Sequence, residues 1–570
     1  MKKYIFGIIF SLFGMYLMSS CSAQHKKSNS PTNNAKQPRI VNIVNFIRLD
    51  EPRNPNITKN RLYKTVVKQI KLMRKYKLKG TFLLQYDALT NPRYQKLLKS
   101  LPADSFEVGA WWEIPRPFAK AAGLKWGGKG EWDPYSAEDF SNGWPHAARK
   151  KLVDTYMKKF KSIFGHYPKA VGSWFIDAYT LNYMYKKYGI VVSSNCKDQI
   201  GTDGYTLWGG YWNQAYYPSR KNAFMPAQDV KDEIPVPIFR MLGSDPIRQY
   251  SNGLGTKRQG VVTMEPVYKF GGGDSTWVHW YFNQFIEGQP LAFNYVQTGQ
   301  ENSFTWKAMA YGFKIQLPLI ARLRNENKVH VETMSESGRW FRNRFKVTPA
   351  TSVTVNKDLK GSNRKTIWYD SRFYRANLLW GQHGTLRFRD IHLFDEHMAS
   401  PFLNKKSTSG KFSLFTLPLV DGHRWSSQKM IAGLRFKAIR HNHVISIKGG
   451  DPVFKRAGKE KLHITWSLKS FKGILVMDFN ERQIKITMEG NTSIKWFLDL
   501  TTAPSATLPF KNINKKAIHC RFEGIDYSIN APAGSFSKPD DSATIQMIPE
   551  NNKLVFNLAD TGENPKNVKD

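Results

Sequence analysis

Cysteine is scarce in this chain, and its scarcity excludes two kinds of architecture. The 570 residues contain only three cysteines, Cys21, Cys196 and Cys520, which lie far apart in the sequence. A disulfide framework or a cysteine-based zinc site requires cysteines at short, regular spacings. We therefore expect neither in this protein.

Acidic residues are also few. The chain has 45 Asp and Glu against 85 Lys and Arg, which gives a formal net charge of +40 at pH 7. Such an excess attracts polyanions over long distances. No clustered basic arm of the kind that binds nucleic acid is present, so we expect no nucleic-acid partner. A sulfated or uronate-bearing oligosaccharide is the expected partner, and a generally basic proteome is the alternative explanation of the charge.

Long hydrophobic runs are confined to the N-terminus, which begins "MKKYIFGIIFSLFGMYLMSSC". Two lysines, an apolar run and small residues before Cys21 predict a lipoprotein signal peptide over residues 1–21, with Cys21 as the lipidated residue. A transmembrane anchor is the alternative, but the run is short for one. Residues 22–38 are polar and predict a flexible tether. We expect an exported lipoprotein that its lipid holds at the outer membrane, facing the periplasm or the cell exterior.

The remaining sequence predicts two folded domains. From Ile40 onward strand and helix patterns alternate, which indicates a parallel sheet closed or nearly closed into a (β/α) barrel over residues 39–345. Its first helix has Thr58 as a candidate cap and Gly80 as its predicted end, and "QGVVTMEP" is among its later strand candidates. Residues 346–570 carry short alternating strands with turn signals, which predict an antiparallel β-sandwich. The fold class is therefore α/β, with the sandwich expected to buttress the barrel.

Five segments between Arg39 and Met225 resemble, in order, the motifs of polysaccharide deacetylases and related glycoside hydrolases. They are "FIRLDEP", "YKLKGTFLL", "DSFEVGAWWEI", "FGHYPKAVGSWFIDAYTL" and "KKYGIVVSSN". The resemblance implies a barrel of the deacetylase type. The mature chain also resembles two-domain lipoproteins of Bacteroidota and, in general layout, dehydratases that act on the terminal uronic acid of ulvan oligosaccharides.

The same resemblance shows which metal ligands are missing. In deacetylases the first motif supplies a base and a metal-binding carboxylate, which correspond here to Asp50 and Glu51. The two metal-binding histidines correspond to positions around Trp111 and Pro115, and neither is histidine. A divalent metal needs about three protein ligands. We therefore predict no metal and no cofactor, and deacetylation is disfavoured.

Four carboxylates end or follow predicted barrel strands and are the candidate catalytic residues: Asp50, Glu51, Glu113 and Asp177. In a barrel these positions lie on the rim that carries the active site. The alternative is that some of them cap helices or pair with arginines.

Candidate substrate-binding residues are aromatic rings that could stack on sugars and polar groups that could hold an anionic substituent. Each has core packing or an ordinary surface position as its alternative. The candidates are Arg48, Trp111, Trp112, Tyr179, Trp212, Tyr216, Arg220, His279, Gln297 and Glu301.

Three functions fit these residues. Elimination from a uronic acid needs a base for the C5 proton and donors that stabilise the resulting charge, and it makes this protein a carbon–oxygen lyase, namely an oligosaccharide dehydratase. A glycoside hydrolase using paired carboxylates is the first alternative. A non-catalytic glycan-binding lipoprotein is the second. The charge, the carboxylates and the missing metal ligands favour elimination.

Overall fold

The computed structural model describes residues 37–250, 252–254, 256–490, 493–539 and 545–559. Cys21, the predicted signal peptide and nearly all of the predicted tether lie outside this range. From Gln37 onward the described residues belong to one compact unit. None of its described helices is long and apolar enough to cross a membrane.

The N-terminal part alternates strands and helices. Its strands are β1 Arg39–Ile47, β2 Gly80–Leu84, β3 Phe106–Trp111, β4 Ala170–Gly172, β5 Val192–Asn195, β6 Gln199–Thr202, β7 Tyr205–Trp208, β8 Ala215–Tyr216, β9 Ile238–Arg240, β10 Asn294–Thr298 and β11 His330–Glu332. Its helices are α1 Lys59–Lys75, α2 Tyr86–Thr90, α3 Pro92–Lys99, α4 Arg116–Ala121, α5 Ser136–Asp139, α6 His146–Phe164, α7 Ala178–Tyr188, α8 Ser275–Glu287, α9 Thr305–Asn325 and α10 Met334–Arg344.

All of these strands except β6 and β7 form a nearly closed barrel. The order is β10-β1-β2-β3-β4-β5-β9-β8, and β11 also pairs with β1. Every pairing is parallel except that of β8 with β9. Because helices cover its outer face and side chains fill its interior, eight of the nine residues of β1 are buried, Asn42 and Asn45 among them.

The C-terminal part consists of antiparallel strands. They are β12 Thr351–Val355, β13 Lys365–Asp370, β14 Tyr374–Trp380, β15 Leu386–Leu393, β16 Phe412–Phe415, β17 Leu417–Asp421, β18 Gly433–Arg440, β19 His443–Ser446, β20 Gly449–Arg456, β21 Leu462–Leu468, β22 Ile474–Phe479, β23 Gln483–Glu489, β24 Lys495–Thr501, β25 Phe510–Ile513, β26 Ala517–Phe522, β27 Ile525–Ala533, β28 Ser535–Ser537, β29 Gln546–Ile548 and β30 Lys553–Asn557.

Two sheets of this part pack face to face. One has the order β12-β13-β14-β15-β18-β24-β29-β28, and the other β20-β21-β22-β23-β30-β27-β26-β25. Phe388 of the first sheet contacts Phe479 and Phe556 of the second, and Phe436 contacts Trp466. The predicted fold class, a (β/α) barrel followed by an antiparallel β-sandwich, is confirmed.

Two local predictions within the barrel are wrong. Thr58 does cap α1, since its hydroxyl accepts a hydrogen bond from the Arg61 amide at 3.2 Å, but the helix ends at Lys75 and not at Gly80. Gly80 instead begins β2, where an added Cβ would collide with Met73 of α1. The segment "QGVVTMEP" is not a strand: the Met264 amide donates to the Leu242 carbonyl that follows β9, so this segment is held as a loop.

A strand pairing and a buried network of ion pairs connect the barrel to the sandwich. β16 pairs with β7 in a small separate sheet. Asp198, next to β5, accepts hydrogen bonds from Arg240 of the barrel, at 2.6 Å, and from Arg375 of the sandwich. Arg375 also pairs with Asp390 at 2.7 Å, and all four side chains are at most 1% exposed. These contacts agree with a sandwich that supports the barrel.

Candidate active site

A cavity of about 160 Å³ opens at the carboxyl ends of the barrel strands, where barrel enzymes carry their chemistry. Arg48 follows β1, Trp174 follows β4, Lys197 follows β5 and Glu301 follows β10. Aromatic side chains form much of its wall: Trp132, Phe140, Trp174, Tyr205, Tyr268 and Phe304.

Arg48 is the centre of a buried charge cluster at these strand ends. Its Nε and Nη2 donate to both carboxylate oxygens of Glu113, at 2.8 and 2.5 Å. Its Nη1 donates to Glu301, and the Asn302 side chain accepts from its backbone amide at 2.9 Å. Burial alone would lower the pKa of Arg48, but Glu113 and Glu301 raise it well above its ordinary value. Arg48, Glu113 and Glu301, all predicted site residues, are therefore brought together.

Glu113 has no free acceptor position. Besides the two bonds from Arg48, Gln85 Nε2 donates to its Oε2 at 2.8 Å and Trp174 Nε1 donates to its Oε1 at 2.9 Å. Each carboxylate oxygen then accepts two hydrogen bonds, which is the full capacity of the group. Glu113 therefore orients Arg48, Gln85 and Trp174, and it is poorly placed to take a proton or to attack a substrate.

Asp139 is the carboxyl group of the cavity that the sequence did not reveal. It is the last residue of α5, is 2% exposed, and accepts a hydrogen bond from Trp132 Nε1 at 2.7 Å. Burial raises its pKa well above the ordinary value, and the neighbouring Glu113 adds to this rise. A raised pKa is the property expected of a carboxyl group that acts as an acid catalyst.

Trp132 connects this acid to the cations. Its ring lies 4.4 Å from the Arg48 guanidinium carbon and 5.0 Å from that of Arg53. Cation–π contacts of this length are attractive. The ring therefore orders both arginines and at the same time fixes one oxygen of Asp139.

Glu265 is a cavity carboxylate of a different kind. Thr263 Oγ1 donates to its Oε2 at 2.7 Å, and Gln300 Nε2 lies 3.4 Å from its Oε1. Within the described ranges it forms no ion pair, and its side chain is half-buried. A carboxylate without a cationic partner keeps its capacity to accept a proton from a ligand.

Asp50 and Glu51 lie beside the cavity and do not line it. Asp50 is half-buried and accepts from the Glu51 backbone amide at 3.1 Å. Glu51 accepts from Arg53 Nε and Nη2, both at 2.7 Å. Burial acts to raise the pKa of Glu51, but the hydrogen bonds from Arg53 outweigh it and lower that pKa. Glu51 thus orients Arg53 at the cavity edge.

Asp177 follows β4, and its carboxylate is engaged by residues of the fold. It is the N-cap of α7, and its oxygens accept from the Thr180 amide at 3.0 Å and from Ser141 Oγ at 2.5 Å. Arg149 Nη1 pairs with it at 2.9 Å, and both side chains are at most 2% exposed. Since these hydrogen bonds occupy both of its oxygens, Asp177 is poorly placed to act as an acid or base.

Trp111 and Trp112 do not form a sugar-stacking surface. Both are 0% exposed. Trp111 stacks on Phe46 with ring centroids 3.9 Å apart, and Trp112 packs edge-on against Phe118 at 5.4 Å. The parallel sheet is covered on both faces, so both side-chain directions of β3 lead into packed core. Neither ring is accessible to a ligand.

Two further aromatic candidates are also buried. Trp212 stacks on Trp368 of the sandwich at 4.2 Å and is 2% exposed. The Tyr216 hydroxyl donates to the Ala223 carbonyl at 2.7 Å, and burial raises its pKa to about 12. Trp212 thus belongs to the junction between barrel and sandwich, and neither ring is placed to stack on a sugar.

The remaining candidates lie away from the cavity. Tyr179 stacks on His146 at 3.6 Å, and Arg220 donates to Asn182 at 2.9 Å. His279 is exposed on α8, where Ser275 of the preceding turn contacts its ring. Gln297 is 1% exposed inside the barrel, and neither its amide nitrogen nor its amide oxygen has a hydrogen-bond partner in the described structure.

The sequence did not single out Trp132, Asp139 or Lys197. Trp132 and Asp139 lie in the long connection between β3 and α6, which shows no periodic pattern. Lys197 lies two residues after Asn195, the last residue of the segment "KKYGIVVSSN", so its position close to a strand end was a usable signal. In the part of the chain that the structure covers, no three His, Cys, Asp or Glu side chains are grouped so that they could hold a metal ion.

Comparison with known proteins gives a family of unknown function and distant similarities of fold. A family model described as a domain of unknown function with solved structure (DUF3863) matches residues 140–366. No curated protein matches the sequence.

Several solved structures are similar at low identity. A provisionally assigned glycoside hydrolase/deacetylase from Parabacteroides distasonis has 14% identity and a TM-score of 0.48, covering 67% of this chain and 91% of its own. A provisionally assigned polysaccharide deacetylase from Mycobacterium smegmatis has 13% identity and a TM-score of 0.35, covering 56% and 95%. A 4-α-glucanotransferase from Thermococcus litoralis has 8% identity and a TM-score of 0.28, covering 92% and 97%.

Proposed function

We propose that the cavity is the active site of a carbohydrate-active enzyme that eliminates water from a terminal uronic acid of an anionic oligosaccharide such as ulvan. One observation carries the proposal: two carboxyl groups in different environments line the cavity. Asp139 is buried, accepts from Trp132 Nε1 at 2.7 Å and has a raised pKa, whereas Glu265 accepts from Thr263 and forms no ion pair within the described residues. A pair of carboxyl groups in such different environments is the arrangement that combined acid and base catalysis uses.

The proposed reaction assigns one proton transfer to each group. Glu265 accepts the proton from C5 of the uronic acid, and the electron pair of the C5–H bond forms the C4=C5 double bond. The C4–O bond breaks, and Asp139 gives its proton to the departing hydroxyl, which leaves as water. The C5 proton is acidic enough for this step only if a cation stabilises the negative charge that spreads into the sugar carboxylate.

The aromatic wall and the charge of the chain support a sugar acid as the substrate. Rings such as Trp174 and Tyr268 offer flat apolar faces of the kind that stack on sugars. The net charge of +40 attracts anionic oligosaccharides. The lipid-anchored, exported location expected from the N-terminus agrees with a polymeric substrate from outside the cell.

Glycoside hydrolysis is the second candidate, because Asp139 and Glu265 could also act as the acid and base of an inverting hydrolase. The two reactions differ in their products. Elimination of the hydroxyl yields a product that has lost one water and has a conjugated double bond absorbing in the ultraviolet. Hydrolysis adds one water across a linkage and creates no such absorbance.

The test is to incubate the purified protein with uronate-terminated ulvan oligosaccharides and to follow product mass and ultraviolet absorbance together. We expect loss of water with new absorbance, and a fall of about 10²-fold or more in Asp139→Asn and in Glu265→Gln. Glu287→Gln, an exposed acid on α8, is the matched control and should retain full activity. Gain of water, or unchanged turnover in both site variants, would refute the proposal.

A further inference from the structure

The cavity contains a buried cation with no anionic partner. Lys197 is 6% exposed, and its ammonium group makes one hydrogen bond, to Gln199 Oε1 at 3.1 Å. Across the described ranges no carboxylate forms an ion pair with it. Since an ammonium carries three donors, two N–H groups of Lys197 remain unused in a site largely closed to water.

The other two cations of the cavity already have carboxylate partners. Arg48 is held by Glu113 and Glu301, and Arg53 is held by Glu51 at 2.7 Å. Among the described residues, Lys197 is therefore the cavity cation that no carboxylate neutralises. Burying a charge without a partner is unfavourable, so the missing negative charge is most simply supplied by a ligand.

The position of Lys197 is fixed by its neighbours on both sides. The Cys196 amide donates to the Trp174 carbonyl at 2.7 Å. On the other side Asp198 is held by Arg240 and Arg375, so its carboxylate is not available to Lys197. Gln199, which accepts from Lys197, is itself fixed by a 3.0 Å hydrogen bond from its Nε2 to the Thr202 carbonyl.

We infer that Lys197 is the residue that recognises the oxyanion of the substrate, a carboxylate or a sulfate ester carried by the sugar in the cavity. This inference rests on the proposed function for the substrate class, and it assigns the recognition of negative charge to one side chain. Lys197 would then discriminate acidic sugars from neutral ones. With a carboxylate bound, it is also the cation that elimination requires next to C5.

The test measures binding and does not need turnover. Trp132 and Trp174 line the cavity, so a change in tryptophan fluorescence of the purified protein reports ligand binding. The probes are methyl glucuronide, its uncharged methyl ester, and methyl glucoside 6-sulfate. The variants are Lys197→Met, which keeps the length of the buried stem, and Lys197→Arg, which keeps the charge. Lys186→Met, an exposed lysine of α7, is the control.

We expect Lys197→Met to weaken binding of methyl glucuronide about tenfold or more, the usual effect of losing a charge-assisted hydrogen bond. Binding of the methyl ester should not change, Lys197→Arg should recover much of the affinity, and Lys186→Met should behave as wild type. A loss confined to the sulfated probe would identify the oxyanion as a sulfate ester. Equal affinity of wild type and Lys197→Met for both charged probes, or no binding of either by wild type, would overturn the inference.

This experiment separates the inference from the proposed reaction. If binding depends on Lys197 but ulvan oligosaccharides give no product, the recognition role of Lys197 is supported and the elimination reaction is refuted. Conversely, if Lys197→Met eliminates water from the substrate at the wild-type rate, the elimination reaction is supported and the recognition role of Lys197 is refuted.

Discussion

Replacement of Arg48 by methionine tests the charge cluster beneath the cavity. The guanidinium is 2% exposed and neutralises Glu113 and Glu301, whose side chains are 0% and 4% exposed. Without it, two carboxylates remain buried near each other and next to Asp139. Breaking a buried ion pair by removing one partner costs about 3–5 kcal/mol. Because domains are stable by about 5–15 kcal/mol, the variant should lose a large part of the free energy of unfolding at pH 8.

The loss should depend on pH with a definite sign. In Arg48→Met the buried carboxyl groups have pKa values raised above those of the unfolded chain, because burial opposes their charge and no cation offsets it. At pH values between the pKa of these groups in the unfolded chain and their pKa in the folded variant, the folded state binds more protons than the unfolded state. The free energy of unfolding therefore falls as the pH rises through this range. The variant should therefore be closest to wild type at pH 5 and weakest at pH 8.

The assay is urea unfolding followed by tryptophan fluorescence at pH 5 and pH 8. The triple variant Arg48→Met/Glu113→Gln/Glu301→Gln should recover stability at pH 8, because neutral amides need no cation. Arg116→Met is the matched control: its pair with Glu131 is 40% and 51% exposed, so a change within about 1 kcal/mol is expected. An Arg48→Met protein as stable as wild type at pH 8, or equally weakened at both pH values, would refute this reasoning.

Three further outcomes are expected. Asp177→Ala should lower the free energy of unfolding by about 3–5 kcal/mol through loss of the buried pair with Arg149, while turnover per folded molecule stays unchanged; a large fall in turnover would return Asp177 to the catalytic site. The kcat/KM of wild type should decline as the pH rises through the raised pKa of Asp139, and the Asp139→Asn profile should lack that decline. Burial raises the pKa of Asp87 from 3.8 to about 7, so its contribution to stability is lost as the pH rises through that range, and Asp87→Asn should flatten the measured pH dependence of unfolding there.

The strand ends of the barrel were predictable from the sequence. Arg48, Glu113 and Glu301 each follow a segment with a clear apolar strand pattern, and the carboxyl ends of parallel strands meet at one edge of a sheet. Their convergence could therefore be expected. The sequence could not show that all acceptor positions of the Glu113 carboxylate are used. Two of its hydrogen bonds come from Gln85 and Trp174, which are distant in the sequence.

Other site residues escaped prediction for identifiable reasons. Asp139 ends the short helix α5 within the long connection between β3 and α6, and only the folded chain shows that burial raises its pKa. Trp111 ends β3 and Trp112 comes directly after it. Because this strand is covered on both faces, adjacent residues are both buried, and the alternation of polar and apolar residues does not predict which side chains are exposed. Asp177 carried a signal for its structural position, since an aspartate directly before a helical pattern is a preferred N-cap.

Following the hydrogen at C5 of the sugar tests the central claim most directly. A uronate-terminated oligosaccharide labelled with deuterium at C5 is incubated with the protein in ordinary water, and the product is examined by mass spectrometry. Elimination with Glu265 as the base predicts an unsaturated product that has lost the deuterium to solvent. The product should form more slowly than from unlabelled substrate, and much more slowly in Glu265→Gln. A product that retains deuterium at C5 would show that this C–H bond is never broken, and it would contradict elimination at this site.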